Sequence, residues 1–220
     1  MSRERTLKLR LATGLTGCAG MLTAAAGVAG TVISEVLYDA AGSDSGSVFV
    51  ELYGAPGTLL DSFLLEGVNG TDGSVYKTVP LAGSIPADGV FVIADDGGGG
   101  STMVGDADLV ADVDFQNGPD SIVLRNGALV MDAVGYGDFT SAVFAGEGAA
   151  AVAAPAGSSI ARFNPLLDTD NNLVDFMALD LPTPGAVPVS AVPVPAPLGL
   201  LLAGLAGLGV VARRKGGTGS

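Results

Sequence analysis

The densest group of side chains able to do chemistry is the run Asp-Thr-Asp-Asn-Asn at residues 168–172. Asp168, Asp170 and Asn172 place oxygen atoms at alternating positions of this run. Loops that bind calcium begin with carboxylate and amide oxygens in this arrangement. The three residues are therefore a weak candidate for a calcium site, and no other cofactor is expected.

The rest of the loop departs from a calcium-binding pattern. Its sixth position is Leu173, where a glycine is wanted, and its twelfth is Leu179, where a bidentate glutamate should stand. The alternative is an Asx-type turn, in which Asp168 and Asp170 accept hydrogen bonds from backbone amides and Asp175 caps the next segment.

The groups used most often in catalysis are scarce. The chain has no histidine, and its single cysteine is Cys18. Ser-His-Asp and Cys-His mechanisms are therefore excluded. A zinc site is not expected, because the histidine and cysteine ligands that zinc usually has are lacking. A pair of carboxylates, as in glycosidases, remains as an alternative. We therefore predict no catalytic residue and a protein that is not an enzyme.

The charge of the chain is strongly acidic. It has 23 acidic and 10 basic residues, and residues 30–196 contain only three cations, Lys77, Arg125 and Arg162. Such a surface repels phosphate backbones, so a nucleic-acid partner is not expected. Arg162 is predicted to pair with a carboxylate of residues 168–175 and so to orient that loop.

The first 29 residues have the layout of a secretory signal peptide. Basic residues precede an apolar stretch at residues 11–26, and a small-residue sequence ends at Ala29. Cleavage after Ala29 would release an exported chain without a cysteine. The alternative is that residues 15–18 resemble a lipobox, with Cys18 as the acylated first residue of a lipoprotein.

The last residues have the layout of a membrane segment. A Pro-rich linker at residues 186–196 precedes sixteen uncharged residues, 197–212. The basic tail, residues 213–220, begins with Arg213, Arg214 and Lys215, which we expect to stop the chain on the cytoplasmic side. A sixteen-residue helix spans roughly 24 Å, less than the ~30 Å hydrocarbon core, which suits a temporary hold. A permanent anchor is the alternative.

Between these ends, residues 30–185 form one predicted domain. Short β-rich runs alternate with turn signals, and no run has a sustained helical period. We expect an all-β fold of about nine strands arranged as a sandwich, because two sheets must each hide one face. The predicted strands are residues 31–39, 47–53, 62–68, 75–81, 89–94, 108–115, 121–124, 128–134 and 158–163.

Six motifs in this domain resemble those of the lamin-tail family, in the form found in exported bacterial proteins. They span residues 33–38, 49–53, 120–124, 132–137, 157–162 and 168–176, and Pro-Thr-Pro-Gly follows at residues 182–185. One departure is Phe49, where the family commonly has tryptophan. The resemblance implies an immunoglobulin-like β-sandwich that serves as a binding or architectural module.

The linker resembles the PEP-CTERM class of sorting signals, in the variant with the motif Val-Pro-Leu-Pro-Ala. The matching residues are Val192, Pro193, Pro195 and Ala196, and Val194 replaces leucine. The resemblance implies a partner, a membrane-embedded sorting protease of exosortase type that removes the C-terminal helix.

These observations together predict a non-catalytic exported protein of the cell envelope, cell surface or extracellular space. Its expected partners are the sorting protease, the membrane through the C-terminal helix, and a surface protein or glycan as ligand. The alternative is a calcium-dependent accessory module that helps a secreted hydrolase to hold its substrate.

Overall fold

Two β-sheets make up most of the folded part of the chain. The computed structural model describes residues 30–140 and 143–186. Within these ranges there are ten strands and one helical turn, α1 (Asn172–Asp175). The strands are β1 (Val32–Leu37), β2 (Phe49–Tyr53), β3 (Phe63–Asn69), β4 (Val75–Pro80), β5 (Val90–Asp95), β6 (Leu109–Ala111), β7 (Asp120–Asn126), β8 (Leu129–Tyr136), β9 (Ser159–Arg162) and β10 (Phe176–Leu179).

The larger sheet has six strands in the order β10-β9-β1-β2-β5-β6, and the smaller has four in the order β4-β3-β7-β8. Neighbouring strands are antiparallel except β5 and β6. β1 is an interior strand, because β2 borders it on one side and β9 on the other. The first strand of the domain therefore pairs with one of the last.

The main hydrophobic core contains side chains from both sheets. Because successive side chains of a strand point to opposite faces, every second residue can enter this layer. Val50 and Leu52 enter it from the larger sheet, and Ile122 and Leu124 from the smaller one, and all four are fully buried. The predicted all-β fold is thus confirmed as a two-sheet sandwich.

A second, smaller core lies apart from the main one. It includes Leu37, Phe49 and Val92, which alternate along their strands with residues of the main core. Glu51 lies between Val50 and Leu52 and is also fully buried. Both faces of the larger sheet therefore contain buried residues.

Two strand predictions differ from the structure. β10 was not predicted, because its four residues, Phe-Met-Ala-Leu, are all apolar and so show no alternation of apolar and polar residues. The strand expected at residues 108–115 shortens to β6. It stops because the Asp95 carboxylate accepts hydrogen bonds from the backbone amides of Val113 (3.2 Å) and Asp114 (3.1 Å), which turns the chain away from the sheet.

Several predicted segments lie outside the described residues. They are the signal peptide at residues 1–29 with Cys18, the sorting motif at residues 192–196, the membrane helix at residues 197–212 and the basic tail at residues 213–220. No helix within residues 30–140 and 143–186 has the length and apolar character needed to cross a bilayer.

Candidate functional site

A buried arginine surrounded by carboxylates is the main polar site of the described domain. Arg162 is the last residue of β9, and its side chain is fully buried. Four acidic residues have a carboxylate oxygen within 4.0 Å of its guanidinium: Asp132, Glu147, Asp168 and Asp175. We refer to these five residues as the Arg162 cluster.

The guanidinium uses all three of its nitrogen atoms. Nε donates to the carbonyl oxygen of Ile33 at 2.9 Å, and Nη2 donates to Asp132 Oδ1 at 2.6 Å. Nη1 donates to Asp168 Oδ1 at 3.2 Å and to Asp175 Oδ2 at 3.1 Å. The planar fork of arginine suits this set of separate acceptors. Arg162 therefore joins both sheets to the loop at residues 168–175.

The carboxylates of the cluster also hold backbone groups. Asp132 Oδ2 accepts a hydrogen bond from the Ile33 amide at 2.6 Å, which joins β8 to β1 across the two sheets. Asp175 accepts from the Thr169 amide at 3.0 Å and from the Thr169 hydroxyl at 2.7 Å. These contacts give the cluster a structural role as a link between sheets and loop.

Burial and crowding raise the proton affinity of the cluster. Burial, followed by the charges of Asp132 and Asp168, raises the pKa of Glu147 to about 8. Its Oε2 atom is buried, has no hydrogen-bond partner within residues 30–140 and 143–186, and lies 3.9 Å from Arg162 Nη2. Burial also raises the pKa of Asp132, although Arg162 opposes the effect. Both shifts favour the protonated form of a carboxyl group in the cluster.

The structure gives each of the three predicted calcium ligands a different role. Asp168 pairs with Arg162 and accepts a hydrogen bond from the Asp170 amide at 3.3 Å, as in the Asx-type turn. Asp170 is exposed and has a positive φ of 53°. Asn172 is fully buried and faces other backbone groups. The oxygens of Asp168 and Asn172 are therefore engaged with different partners, and Asp170 is exposed.

Asn172 joins three parts of the smaller sheet and its loops. Its Oδ1 atom accepts from the amides of Gly135 at 3.0 Å and Glu147 at 2.9 Å, while its Nδ2 atom donates to the carbonyl of Ala133 at 2.8 Å. Its neighbour Asn171 caps the helical turn α1 by accepting from the Leu173 amide. The first residue of α1 is thus anchored against β8.

A different trio of carboxylates lies close together. Among the described residues, Asp132, Glu147 and Asp168 each contribute one oxygen that lies within 4.8 Å of the other two. Oxygen atoms of this kind bind calcium, but Arg162 already supplies a positive charge to Asp132 and Asp168. The trio shares only Asp168 with the predicted ligand set.

A second pair of buried carboxylates lies on the larger sheet. Glu35 of β1 and Glu51 of β2 are directly opposite each other in the register, and both are fully buried. Glu35 accepts from the amide (2.9 Å) and the hydroxyl (2.7 Å) of Thr183, and Glu51 accepts from the Gly185 amide at 2.9 Å. We refer to this attachment of residues 183–185 as the C-terminal clasp.

Two further hydroxyl groups complete the clasp. Ser159 Oγ donates to Glu35 at 2.5 Å, and Ser34 Oγ donates to Glu51 at 2.7 Å. Burial raises the pKa of Glu51 to about 7; the hydrogen bonds from Ser34 and Gly185 oppose this rise, and the charges of Glu35 and Asp88 add to it. Burial and neighbouring charge therefore favour the protonated form of Glu51.

The sequence identified part of this arrangement. The expected pairing of Arg162 with the loop at residues 168–175 is confirmed by its contacts with Asp168 and Asp175. Asp132, Glu147 and the two clasp glutamates were not identified. The sequence does contain a signal for Asp132, Glu35 and Glu51, because each is a single acidic residue within a mostly apolar strand. Acids are seldom fully buried unless they are paired, so each of these positions indicates a partner.

Comparison of the chain with protein-family models, with curated proteins and with solved structures found no match. The functional argument therefore rests on the residues and their geometry.

Proposed function

We propose that this chain is a non-catalytic exported protein of the cell envelope, whose C-terminal helix is removed by a sorting protease of exosortase type. Its β-sandwich, of the immunoglobulin-like lamin-tail kind, then acts as a binding or structural module for a surface protein or glycan. The observation that carries the proposal is the order of segments at the C-terminus. The last clasped residue, Gly185, is followed within seven positions by the Val192 that opens the sorting motif.

The buried members of the Arg162 cluster, Arg162, Asp132 and Asp175, support a structural role and give no support to a carboxylate enzyme. The side chains of Arg162 and Asp132 are fully buried, so a substrate has no access to them. The carboxylate oxygens of Asp132 and Asp175 accept hydrogen bonds from backbone amides and from Arg162. A general acid or base must reach a proton of the substrate, which these positions prevent.

Tail removal has a direct readout in the mass of the mature protein. From cells that make the protein, we expect a form that lacks residues 197–220, because the sorting motif ends at Ala196. Intact-mass spectrometry of the recovered protein measures this. Replacing Pro193 and Pro195 with alanine is the matched change, and it should leave the tail attached. A wild-type mature form that still carries residues 198–215 contradicts the proposal.

A calcium-dependent accessory module is the second candidate, and the trio Asp132, Glu147 and Asp168 is the observation that favours it. A bound ion stabilises the folded state by mass action. If this candidate holds, the melting temperature of the full chain rises with millimolar calcium and returns with chelator, and Glu147→Gln reduces the rise. An unchanged melting temperature removes this candidate and also the predicted site at Asp168, Asp170 and Asn172.

A further inference from the structure

We propose that the paired glutamates of the C-terminal clasp form a releasable, proton-sensitive hold on the segment at which the chain leaves the domain. The consequence of this hold for tail processing rests on the proposed function.

The hold is built almost entirely from two side chains of interior strands. Directly opposite residues of an antiparallel pair have Cβ atoms about 5 Å apart, so Glu35 and Glu51 are close neighbours. Together they accept two backbone amides and one hydroxyl from residues 183–185. The segment is outside every strand, so these side-chain acceptors replace the backbone ladder that fastens the neighbouring β10.

The charges around Glu51 favour its protonated form while the clasp is closed. Glu35 faces it from β1, and Asp88 acts on it from the turn that precedes β5. On the outer side, Asp106 lies against Gly185, where an added Cβ atom would be 2.9 Å from Asp106 Cβ. Two ionised glutamates side by side in a dry site repel each other, and a proton on one of them removes that repulsion.

Opening the clasp removes the cover of residues 183–185 from Glu51 and so changes the proton affinity of Glu51. The pKa of Glu51 is about 7 when the clasp is closed and returns towards its ordinary value of 4.5 when the clasp opens. Because the pKa of Glu51 is higher in the closed clasp than in the open one, a proton on Glu51 stabilises the closed clasp. This stabilisation is fully present below pH 4.5. It is lost as the pH rises through 7. Mildly alkaline conditions therefore favour release.

Release lengthens the connection between the domain and the sorting motif. With the clasp closed, the seven steps from Gly185 to Val192 span at most about 25 Å. With residues 180–185 freed, the chain is fixed only at Leu179, the end of β10, and thirteen steps span at most about 45 Å. A sorting protease in the bilayer would then meet its motif with the folded domain further away.

Hydrogen exchange of the full-length protein in detergent micelles tests the clasp. After correction for the intrinsic effect of pH, protection of the Thr183 and Gly185 amides should fall by about 10- to 100-fold between pH 5 and pH 8. The amide of Ile122 in β7 is the internal reference and should not change to this extent. Glu51→Gln, which stays neutral, should make the clasp amides insensitive to pH. The matched control Glu66→Gln, on the other sheet, should respond as the wild type does.

Two results would overturn the inference. One is a wild-type clasp whose protection does not change with pH relative to Ile122, a measurement that needs no variant. The other is a folded Glu51→Gln protein that retains the full wild-type response. Neither result depends on whether the tail is cut, because that question is answered by the mass of the mature protein.

Discussion

Replacing Arg162 with alanine is expected to lower the free energy of unfolding by about 3–5 kcal/mol. The change leaves Asp132 fully buried without its cation, and it removes the donors that Asp168 and Asp175 share. An uncompensated buried charge costs much more than the net worth of the pair it came from, because the remaining carboxylate loses both water and partner. Denaturant unfolding at pH 7 and low temperature measures the loss.

Two further substitutions make this result specific. Arg125→Ala is the matched control, because Arg125 pairs with Glu66 at a partly exposed position, and such pairs contribute about 0–1 kcal/mol. Arg162→Lys should also be destabilised, since one ammonium group cannot replace the three nitrogen donors that reach Ile33 and the acids. A structural role for the cluster is contradicted if Arg162→Ala and Arg125→Ala unfold with equal midpoints.

Replacing Asn172 with alanine is expected to cost about 3 kcal/mol. The side chain is fully buried and makes three hydrogen bonds, to the amides of Gly135 and Glu147 and to the carbonyl of Ala133. Each of these backbone groups is left without its side-chain partner, at a cost of about 1 kcal/mol or more per group. Thermal or denaturant unfolding of the full chain measures the change.

The adjacent asparagine supplies the control for this prediction. Asn171→Ala removes the cap of α1, which accepts from the Leu173 amide, and a longer hydrogen bond from the exposed Ala149 amide at 3.3 Å. Caps of this kind contribute about 1 kcal/mol. Asn172→Asp is informative as well, because it keeps an acceptor for Gly135 and Glu147 but replaces the donor to Ala133 by an oxygen. If Asn171→Ala and Asn172→Ala lower the free energy of unfolding equally, the burial of Asn172 adds no stability beyond that of a helix cap.

The local part of the fold was predictable from the sequence. Asn126 and Gly127 predict a two-residue hairpin turn, and β7 and β8 do form a hairpin here, with Gly127 at a φ of 58°. Its two turn residues are Gly127 and Ala128, one position later than predicted, because Asn126 pairs with Leu129. The loop between β3 and β4 behaves in the same way, with Gly73 at a φ of 77°. In both cases the information lies within a few residues, since turn chemistry and alternation are local properties.

The order of strands was not predictable by the same reasoning. β1 pairs with β9, so Glu35 lies opposite Ala161, and nothing near either residue in the chain encodes this neighbour. The contacts of the Arg162 cluster that are distant in sequence could not be predicted for the same reason. Arg162 and its loop are close in sequence, so their pairing was predicted, whereas Asp132 lies thirty residues away on the other sheet. Only the packed sandwich brings it to the guanidinium.

The interior position of β1 has a consequence for the order of events during synthesis. A nascent chain presents β1 to its surroundings early, yet one flank of that strand stays open until β9 has been translated. Glu35 of β1 can bond Thr183 only after a further 148 residues have been synthesised. Non-local pairing of this kind delays folding until nearly the whole domain has left the ribosome. The topology thus prevents the larger sheet from being completed until most of the chain has been synthesised.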